Sequence, residues 1–481
     1  MSDRVGGGGP VRVVAVDLGA TSGRVMAARV GLGPDVLELT EVHRFPNGAV
    51  RHPDGSLRWD LERLHREVLE GIRRAAATGP VDAVGIDSWA VDYGLVDAEG
   101  RLLGPAYSHR DGRTDGVADL VEARVGADRL YAETGLQRLP FNTLFQLVAG
   151  RDDLAGAAHL LLVPDLLTSW LTGRVVAERT NASTTQFYGA RSHAWSTDLL
   201  GELDLPTGLL PPLVDPGTVV GTVLDDVAAG LGLPPGVPVV AVGSHDTASA
   251  VVGVPAADQP FAYVSSGTWS LVGLELAAPV LTEAARAADF TNEAGVDGTT
   301  RFLQNVSGLW VLSECLRTWR AEGRTVALPT LLARAAEHPS LGTFEIGDHR
   351  LVAPDDMPAR VVALAHEAGI ALSGEPVELV RVVLDSLAAA YARSVGVASR
   401  LAGVRPEVVH VVGGGSANAL LCQLTADACG LPVVAGPQEA AALGNVLVQA
   451  RALGVDLPDL AAMRALVRRT HRLRRFEPLG G

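Results

Sequence analysis

Three short turns rich in Gly, Ser and Thr each follow an apolar run: Asp17-Leu18-Gly19-Ala20-Thr21-Ser22-Gly23, Ser265-Ser266-Gly267-Thr268 and Gly413-Gly414-Gly415-Ser416-Ala417-Asn418. Such turns present backbone N–H groups and hydroxyls in a concave array that suits phosphate oxygens. One alone is explained as well by a plain hairpin. Three in one chain, two of them opening similar halves, point to a phosphorylated ligand. A carboxylate such as Asp17 beside a phosphate turn is repelled by phosphate unless a cation lies between them. Mg²⁺, which keeps several waters and takes one or two carboxylates, fills that need; turn capping is the other reading of Asp17. Asp246, in Ser244-His245-Asp246-Thr247 after a second apolar run, is suited to orient an attacking hydroxyl and accept its proton in phosphoryl transfer. The same residues do not form a nucleophilic triad. Neighbours along an extended chain point in alternating directions, and no G-x-S-x-G elbow surrounds Ser244. The glycines at 413–415 are not a dinucleotide fingerprint, because Asn418 occupies the last Gly place. They suit the close approach of a nucleotide to the backbone. Trp89, Trp269 and Trp310 each adjoin a polar turn, either as core or as the lining of a sugar site.

The elements that must position these residues follow from the apolar pattern. Val11–Val16, the turn, and Arg24–Val30 read as a hairpin, with a further strand around Val36–Leu39. Residues 60–78 read as a helix with Leu61, Leu64, Val68, Leu69 and Ile72 on one stripe. A strand at Val81–Ile86 ends in Asp87-Ser88-Trp89. Residues 115–170 have a mostly helical pattern, interrupted at Pro140 and Pro164. An apolar strand at Val237–Val242 leads to Asp246. A second hairpin, Phe261–Val264 and Trp269–Leu274, repeats the layout of residues 11–30 and divides the chain near residue 250. Strands at Val408–Val412 and Leu431–Val434, a helix through Leu420–Ala428 and another at Glu439–Leu453 complete the second half. Residues 1–10 are expected to be flexible, and 455–481 to form an Arg-rich helix end and a frayed tail.

Composition narrows the chemistry. The chain has 481 residues, 47% hydrophobic and 20% charged, with net charge −15; two or three globular domains are expected. Its acidity disfavours nucleic acid and anionic membranes as partners. All 40 cations are Arg. With no lysine, a Walker A loop, a Schiff-base lysine and a protein-kinase strand lysine are all excluded. Cys315, Cys422 and Cys429 match no metal spacing and fit a reducing cytoplasm. The start of the chain has no apolar signal core. The uncharged stretch 227–244 carries three prolines and is no membrane helix.

The segments VAVDLGATSGRV, HRFPNG, GIDSWAVDYGLVD, LPFNTLFQL, TNASTTQ, GSHDTASAV, YVSSGTWSL, NVSGLWVL and HVVGGGSANALLCQLTADACGLPVVAGPQEAAALGN together resemble the FGGY carbohydrate kinases along about residues 11–450. The resemblance implies an α/β, two-domain actin/hexokinase-like (ribonuclease H-like) fold with a catalytic cleft between an N-terminal domain, 11–250, and a C-terminal domain, 251–455. It implies ATP as co-substrate, with Mg²⁺ at Asp17. ATP phosphates would lie against Ala20, Thr21, Ser22, Gly23, Arg24 and Thr268, and Gly414 would approach the adenosine. His245, Asp246, Thr247 and Asn305 would meet the sugar, with Asp246 as the proton acceptor. At two positions the chain departs from the family pattern: Ala90 stands beside the sugar in place of Gly, and Ser313 near ATP in place of Gln. The segments imply a ketose substrate phosphorylated on its 1-hydroxyl, L-rhamnulose first, with L-fuculose or a pentulose as alternatives. A non-catalytic nucleotide or sugar sensor is the reading from another class, and intact Asp17 and Asp246 speak against it. The expected partners are the ketose and ATP, with the chain a monomer or homodimer.

Overall fold

A computed structural model describes residues 9–324, 327–352 and 356–479; the first eight residues of the N-terminal segment expected to be flexible lie outside them. Two compact units emerge. The first comprises residues 1–253, 276–302 and 440–470, the second 254–275, 303–439 and 471–481. The chain therefore does not divide by a single cut near residue 250. After crossing once it returns twice to the first unit.

The first unit is built on a six-stranded sheet in the order Val219–Thr222, Pro238–Val240, Ala83–Ser88, Val11–Leu18, Ser22–Gly31, Val36–Pro46. Val11–Leu18 pairs antiparallel with the returning hairpin strand and parallel with Ala83–Ser88. Its almost unbroken apolar run is explained by cover on both faces. Val14, Val16 and Leu18 pack in a core with Leu61, Leu64, Val68 and Ile72 of the helix Leu61–Ala77. Val13 and Ala15 point the other way, into a core with Val446, Leu447, Met463 and Leu466. Those last residues come from the helices Ala440–Ala452 and Leu460–Thr470. Ala440–Ala452 is apolar nearly all round because it is buried nearly all round.

The second unit repeats the plan. Six neighbouring strands of a seven-stranded sheet run in the order Thr300–Ser307, Trp269–Leu276, Phe261–Ser266, Val408–Val412, Val433–Ala435, Arg474–Phe476. Phe261–Ser266 again has an antiparallel hairpin partner on one side and a parallel strand on the other. The 27-residue helix Pro376–Ala402 and the helix Ala419–Cys429 belong to this unit.

Three expectations are corrected. The segment 115–170 is not helical throughout: His159–Leu162 is a strand paired antiparallel with Tyr93–Val96. Pro164 does not interrupt a helix but sits in the first turn of Val163–Thr172, where its missing N–H has no intrahelical partner to lose. The tail is ordered rather than frayed as far as residue 479. Met463, Leu466 and Val467 are buried, and Arg474–Phe476 adds an antiparallel edge strand. Arg474 also donates to the carbonyls of Ser416 and Ala417, at 2.8 and 3.1 Å, so the tail braces the third Gly-rich turn.

Helix Ala440–Ala452 packs against helix Asp246–Val252 through a position only glycine fills. A Cβ on Gly444 would lie 1.8 Å from the Ser249 carbonyl oxygen, whereas one on Gly230, inside Asp225–Leu231, would meet nothing within 4 Å. Gly444→Ala is expected to lower stability by about 1–3 kcal/mol or more through overpacking. Gly230→Ala should leave stability unchanged or raise it by up to about 1 kcal/mol. Urea denaturation of both variants checks the contrast.

Candidate active site

In the first unit, Asp17 ends the first strand directly opposite Arg24 across the hairpin. Its Oδ2 lies 2.6 Å from Arg24 Nη2. The turn between them closes through its own backbone, Gly19 N–H to the Ser22 carbonyl at 3.0 Å. Asn47 buttresses the turn: its Nδ2 donates to the Gly19 carbonyl at 2.9 Å and its backbone N–H to the Thr21 carbonyl at 3.0 Å. A side chain at Gly23 would strike the Phe45 ring at 2.3 Å, so the hairpin can lie close to the HRFPNG segment only with glycine there. Thr21 is exposed, and Ala20, Ser22 and Arg24 are half-buried.

Beside Asp17, in register on the parallel strand, stands Asp87. It is completely buried. Its Oδ2 accepts from Asn445 Nδ2 at 2.6 Å, and its Oδ1 has no hydrogen-bond partner among the described residues. Burial, then the charge of Asp17, pushes its carboxyl well above the usual range. Asn445 is itself held by Gln449, whose Nε2 donates to Asn445 Oδ1 at 2.6 Å and to the Val14 carbonyl at 3.0 Å. Sequence reading left both Asp87 and Asn445 unassigned. The available signal was an acid closing the strand 81–86 as Asp17 closes the first.

Asp246 opens the helix Asp246–Val252, and its side chain is 31% exposed. Thr247 Oγ1 donates to its Oδ1 at 3.2 Å, and His245 Nε2 lies 3.5 Å from the same oxygen. Burial raises its pKa, with Asp17 adding to the rise and His245 and Thr247 opposing it. A carboxylate of raised basicity facing an opening is the kind of group that accepts a hydroxyl proton. His245 is fixed from behind. Its Nδ1 lies 3.1 Å from Glu293 Oε2 and 3.2 Å from Arg301 Nη2. Glu293 and the fully buried Arg301 pair at 2.9 Å. Burial disfavours the charged Glu293, but Arg301 and His245 outweigh it and leave the carboxyl below its usual value.

Ser244 donates its Oγ at 2.7 Å, and its backbone N–H at 2.9 Å, to Glu178 Oε2. Its hydroxyl therefore serves Glu178 rather than His245, and the exclusion of a triad stands on geometry. The segment containing Ala90 runs beside this loop: Ser88 bridges to His245, and the Ser88 N–H donates to the Ser244 carbonyl at 2.8 Å. Ala90 is half-buried. Trp89 belongs to the core, 6% exposed, with its ring centroid 4.3 Å from that of Trp59 and the two planes tilted by 38°.

The other expected site residues lie in the second unit. Thr268 sits in the turn after Phe261–Ser266, half-buried. Its carbonyl accepts from the Trp310 N–H at 3.2 Å, and the Gly267 carbonyl from the Leu309 N–H at 3.0 Å. That approach requires Gly308, where a Cβ would come within 2.5 Å of the Thr268 oxygen. Ser313 is exposed on the helix Trp310–Ala321. The third turn packs on the second: a Cβ on Gly413 or Gly415 would strike Ser266 at 2.9 or 2.0 Å, while Gly414 is exposed with nothing within 4 Å of its Cβ position. Asn305 is half-buried on Thr300–Ser307. The structure thus gathers Asp17, 20–24, 245–247 and the Ala90 segment in one unit, and Thr268, Ser313 and Gly414 around two adjoining turns in the other.

All three cysteines are free. Burial pushes each thiol up to about 12, which makes them poor nucleophiles. Among the described residues no helix is long and apolar enough to cross a membrane.

Residues 12–253 match the N-terminal domain, and residues 262–453 the C-terminal domain, of the FGGY family of carbohydrate kinases. A protein from Pectobacterium carotovorum named rhamnulokinase is 44% identical over 472 residues, covering 97% of this chain and 93% of its own. Rhamnulokinases from Bacteroides thetaiotaomicron and Enterococcus faecalis are 40% and 39% identical. They cover 96% and 94% of this chain, and 95% and 92% of their own. Solved structures with the same fold include a gluconate kinase from Lactobacillus acidophilus (TM-score 0.79, 17% identity, 98% of this chain and 94% of that one). A xylulose kinase from Rhodospirillum rubrum also matches (TM-score 0.77, 20% identity, 98% and 94%). The chain belongs to the FGGY family of carbohydrate kinases. Its reaction is the transfer of a phosphoryl group from ATP to a sugar hydroxyl.

One charged cluster behind the site yields a pH prediction. Asp165 is buried and accepts from the Glu178 N–H at 3.1 Å, while its Oδ2 has no hydrogen-bond partner among the described residues. Burial, and then the charge of Glu178, raises its pKa well above the ordinary value. A raised carboxyl favours the folded state below its unfolded pKa, near 4, and that contribution is lost as pH rises through the folded value. Asp165→Asn, which keeps the acceptor but does not ionise, is expected to raise Tm at pH 8, with the gain shrinking toward zero near pH 4. Thermal melts across that range measure it; a gain that grows on acidification contradicts the assignment.

Proposed function

We propose that the chain phosphorylates the 1-hydroxyl of L-rhamnulose with Mg²⁺ and ATP. The identity of 39–44% with proteins named rhamnulokinase, over 94% or more of the chain, supports the choice of ketose. The raised, partly open carboxyl of Asp246 beside His245 and Thr247 supports the chemistry.

In this reading the ketose lies against Ala90, His245, Asp246, Thr247 and Asn305. The ATP phosphates lie along residues 20–24 and Thr268, with Gly414 at the adenosine and Ser313 reaching ATP through water. Asp246 orients the 1-hydroxyl in line with the γ-phosphorus and accepts its proton as the new P–O bond forms and ADP leaves. Arg24 and the N–H groups of the first turn are placed to meet phosphate oxygens. His245, locked by Glu293 and Arg301, keeps the Asp246 loop in position.

The residues present fit a divalent cation. Asp17, Asp87 and Asp246 interact electrostatically with one another, and one oxygen of buried Asp87 lacks a partner. Arg24 pairs directly with Asp17 at 2.6 Å. Asp17 would hold Mg²⁺ together with water and phosphate oxygens. When bound there, Mg²⁺ supplies charge neutralisation for the phosphates. A reducing cytoplasm fits the three free thiols.

Two measurements test the reading. Asp246→Asn is expected to lower kcat by about 10²–10⁴-fold, the range for loss of a general base, while ATP still binds in calorimetry. Retention of more than about a tenth of kcat removes Asp246 as the base. Across a ketose panel, L-rhamnulose should give the highest kcat/KM. A methyl-sized change is worth about 1–3 kcal/mol of discrimination, so Ala90→Gly should alter the margins without changing the preferred ketose. A tenfold preference for L-fuculose, L-ribulose or D-xylulose leaves a sugar kinase of a different ketose.

A further inference from the structure

Val91 has a backbone φ of +68°. A β-branched residue in the left-handed region is a true outlier. Such strain persists only where the surroundings over-determine it, and it gathers at ligand clamps and active sites. Here the restraints can be named. The Val91 carbonyl accepts from Thr143 Oγ1 at 2.8 Å and from Gln146 Nε2 at 3.2 Å. Both donors stand on the helix Thr143–Ala149.

The next residue, Asp92, is wholly buried. Its Oδ2 accepts from Trp59 Nε1 at 2.7 Å and Trp89 Nε1 at 2.9 Å and meets His109 Nδ1 at 2.7 Å. Its Oδ1 meets Gln146 Nε2 at 3.2 Å, and its backbone N–H closes on the Ala90 carbonyl at 2.9 Å. Residues 89–92 thus form a tight loop whose two ends, Trp89 and Asp92, are bonded to each other and whose crest is pinned by a helix. At its entrance the Trp89 N–H donates to the Leu18 carbonyl at 3.0 Å. Within 88–92, Ala90 alone is not buried. A second strained residue, Gln186 at φ +67°, is tied to the start of the same helix, its Oε1 accepting from Asn142 Nδ2 at 2.7 Å.

We propose that Thr143, Gln146 and Asp92 are positioning residues for ketose recognition: they hold Val91 in its strained conformation so that the one accessible residue of the loop, Ala90, forms a rigid wall against the sugar. The inference rests on the reading that Ala90 faces the ketose. A wall held this way discriminates by shape, because a loop free to relax would move aside for a bulkier sugar. The three residues act through Ala90 and Val91.

The test is a double-variant cycle read as a split between KM and kcat. Thr143→Val keeps shape and removes the donor. It should raise KM for the ketose about tenfold or more, a misplacement effect, with KM for ATP and kcat within about twofold. Thr143→Ser keeps the donor and should restore wild-type KM. Val91→Gly removes the strain, since glycine accepts positive φ freely. In a Val91→Gly background, Thr143→Val should therefore raise the ketose KM less than threefold. If Thr143→Val alone does not fold, the double variant carries the test. It should fold and keep the ketose KM within threefold of wild type; its failure to fold overturns the proposal. An equal KM rise in both backgrounds, or a fall in kcat with KM unchanged, also overturns it. Ala90→Leu separates the premise. If it leaves the ketose KM unchanged, the sugar does not lie at Ala90 and both readings fall. If it raises KM while Thr143→Val does not, only the positioning proposal falls.

Discussion

The parallel pairing of Val11–Leu18 with Ala83–Ser88 sets Asp17 and Asp87 side by side at the ends of two buried strands. Much of the first unit is arranged around that contact. Two carboxylates in one low-dielectric place repel each other, and each loses hydration. Arg24 answers Asp17 from across the hairpin, and Asn445 answers Asp87 from a helix packed on the far face. The answer is incomplete: one Asp87 oxygen is left without a partner among the described residues, and Asp246 adds a third negative group nearby. A sequence optimised only for stability would replace Asp87 with an apolar or amide side chain. Its retention fits a site whose negative charge is completed by a cation and a polyphosphate, with stability given up locally for function.

The two units use one device, once each. A central strand carries a hairpin on one side and a parallel strand on the other, and a turn rich in Gly, Ser and Thr closes the hairpin. What differs is how the turn is braced. In the first unit Asn47 and the Phe45 ring do it. In the second, the backbone of Gly308–Trp310 and the glycines 413 and 415 press directly on residues 266–268. Side-chain bracing leaves room for a charged pair, Asp17 and Arg24. Backbone bracing leaves Gly414 bare at the surface.

The sequence carried the local features well. Strands that are apolar on both faces, the helix stripe of Leu61, Leu64, Val68 and Ile72, and the three turns are all governed by near neighbours. So were Asp17 and Asp246, each at the end of an apolar run. What it did not carry is non-local. Asn445 meets Asp87 across 358 positions, and no periodicity encodes such a contact. The strand His159–Leu162 hides in a helical stretch because its three leucines fit either pattern, and its pairing with Tyr93–Val96 decides the matter. The edge strand Arg474–Phe476 is too short and too charged to read as a strand without Val433–Ala435 beside it. The strain at Val91 is invisible in sequence, since valine is the last residue one expects at positive φ. Its cause lies in the donors of Thr143 and Gln146, more than 50 residues away.

We propose that the buried carboxylates and braced turns of this chain move a phosphoryl group to one hydroxyl of one ketose. The most direct measurement is correlated proton–phosphorus NMR of the product formed from L-rhamnulose, ATP and Mg²⁺. The expected product is a single new phosphomonoester whose phosphorus couples to the C1 methylene protons, formed in step with ADP. Phosphate attached at another carbon, or ADP released with inorganic phosphate and no sugar ester, would contradict it.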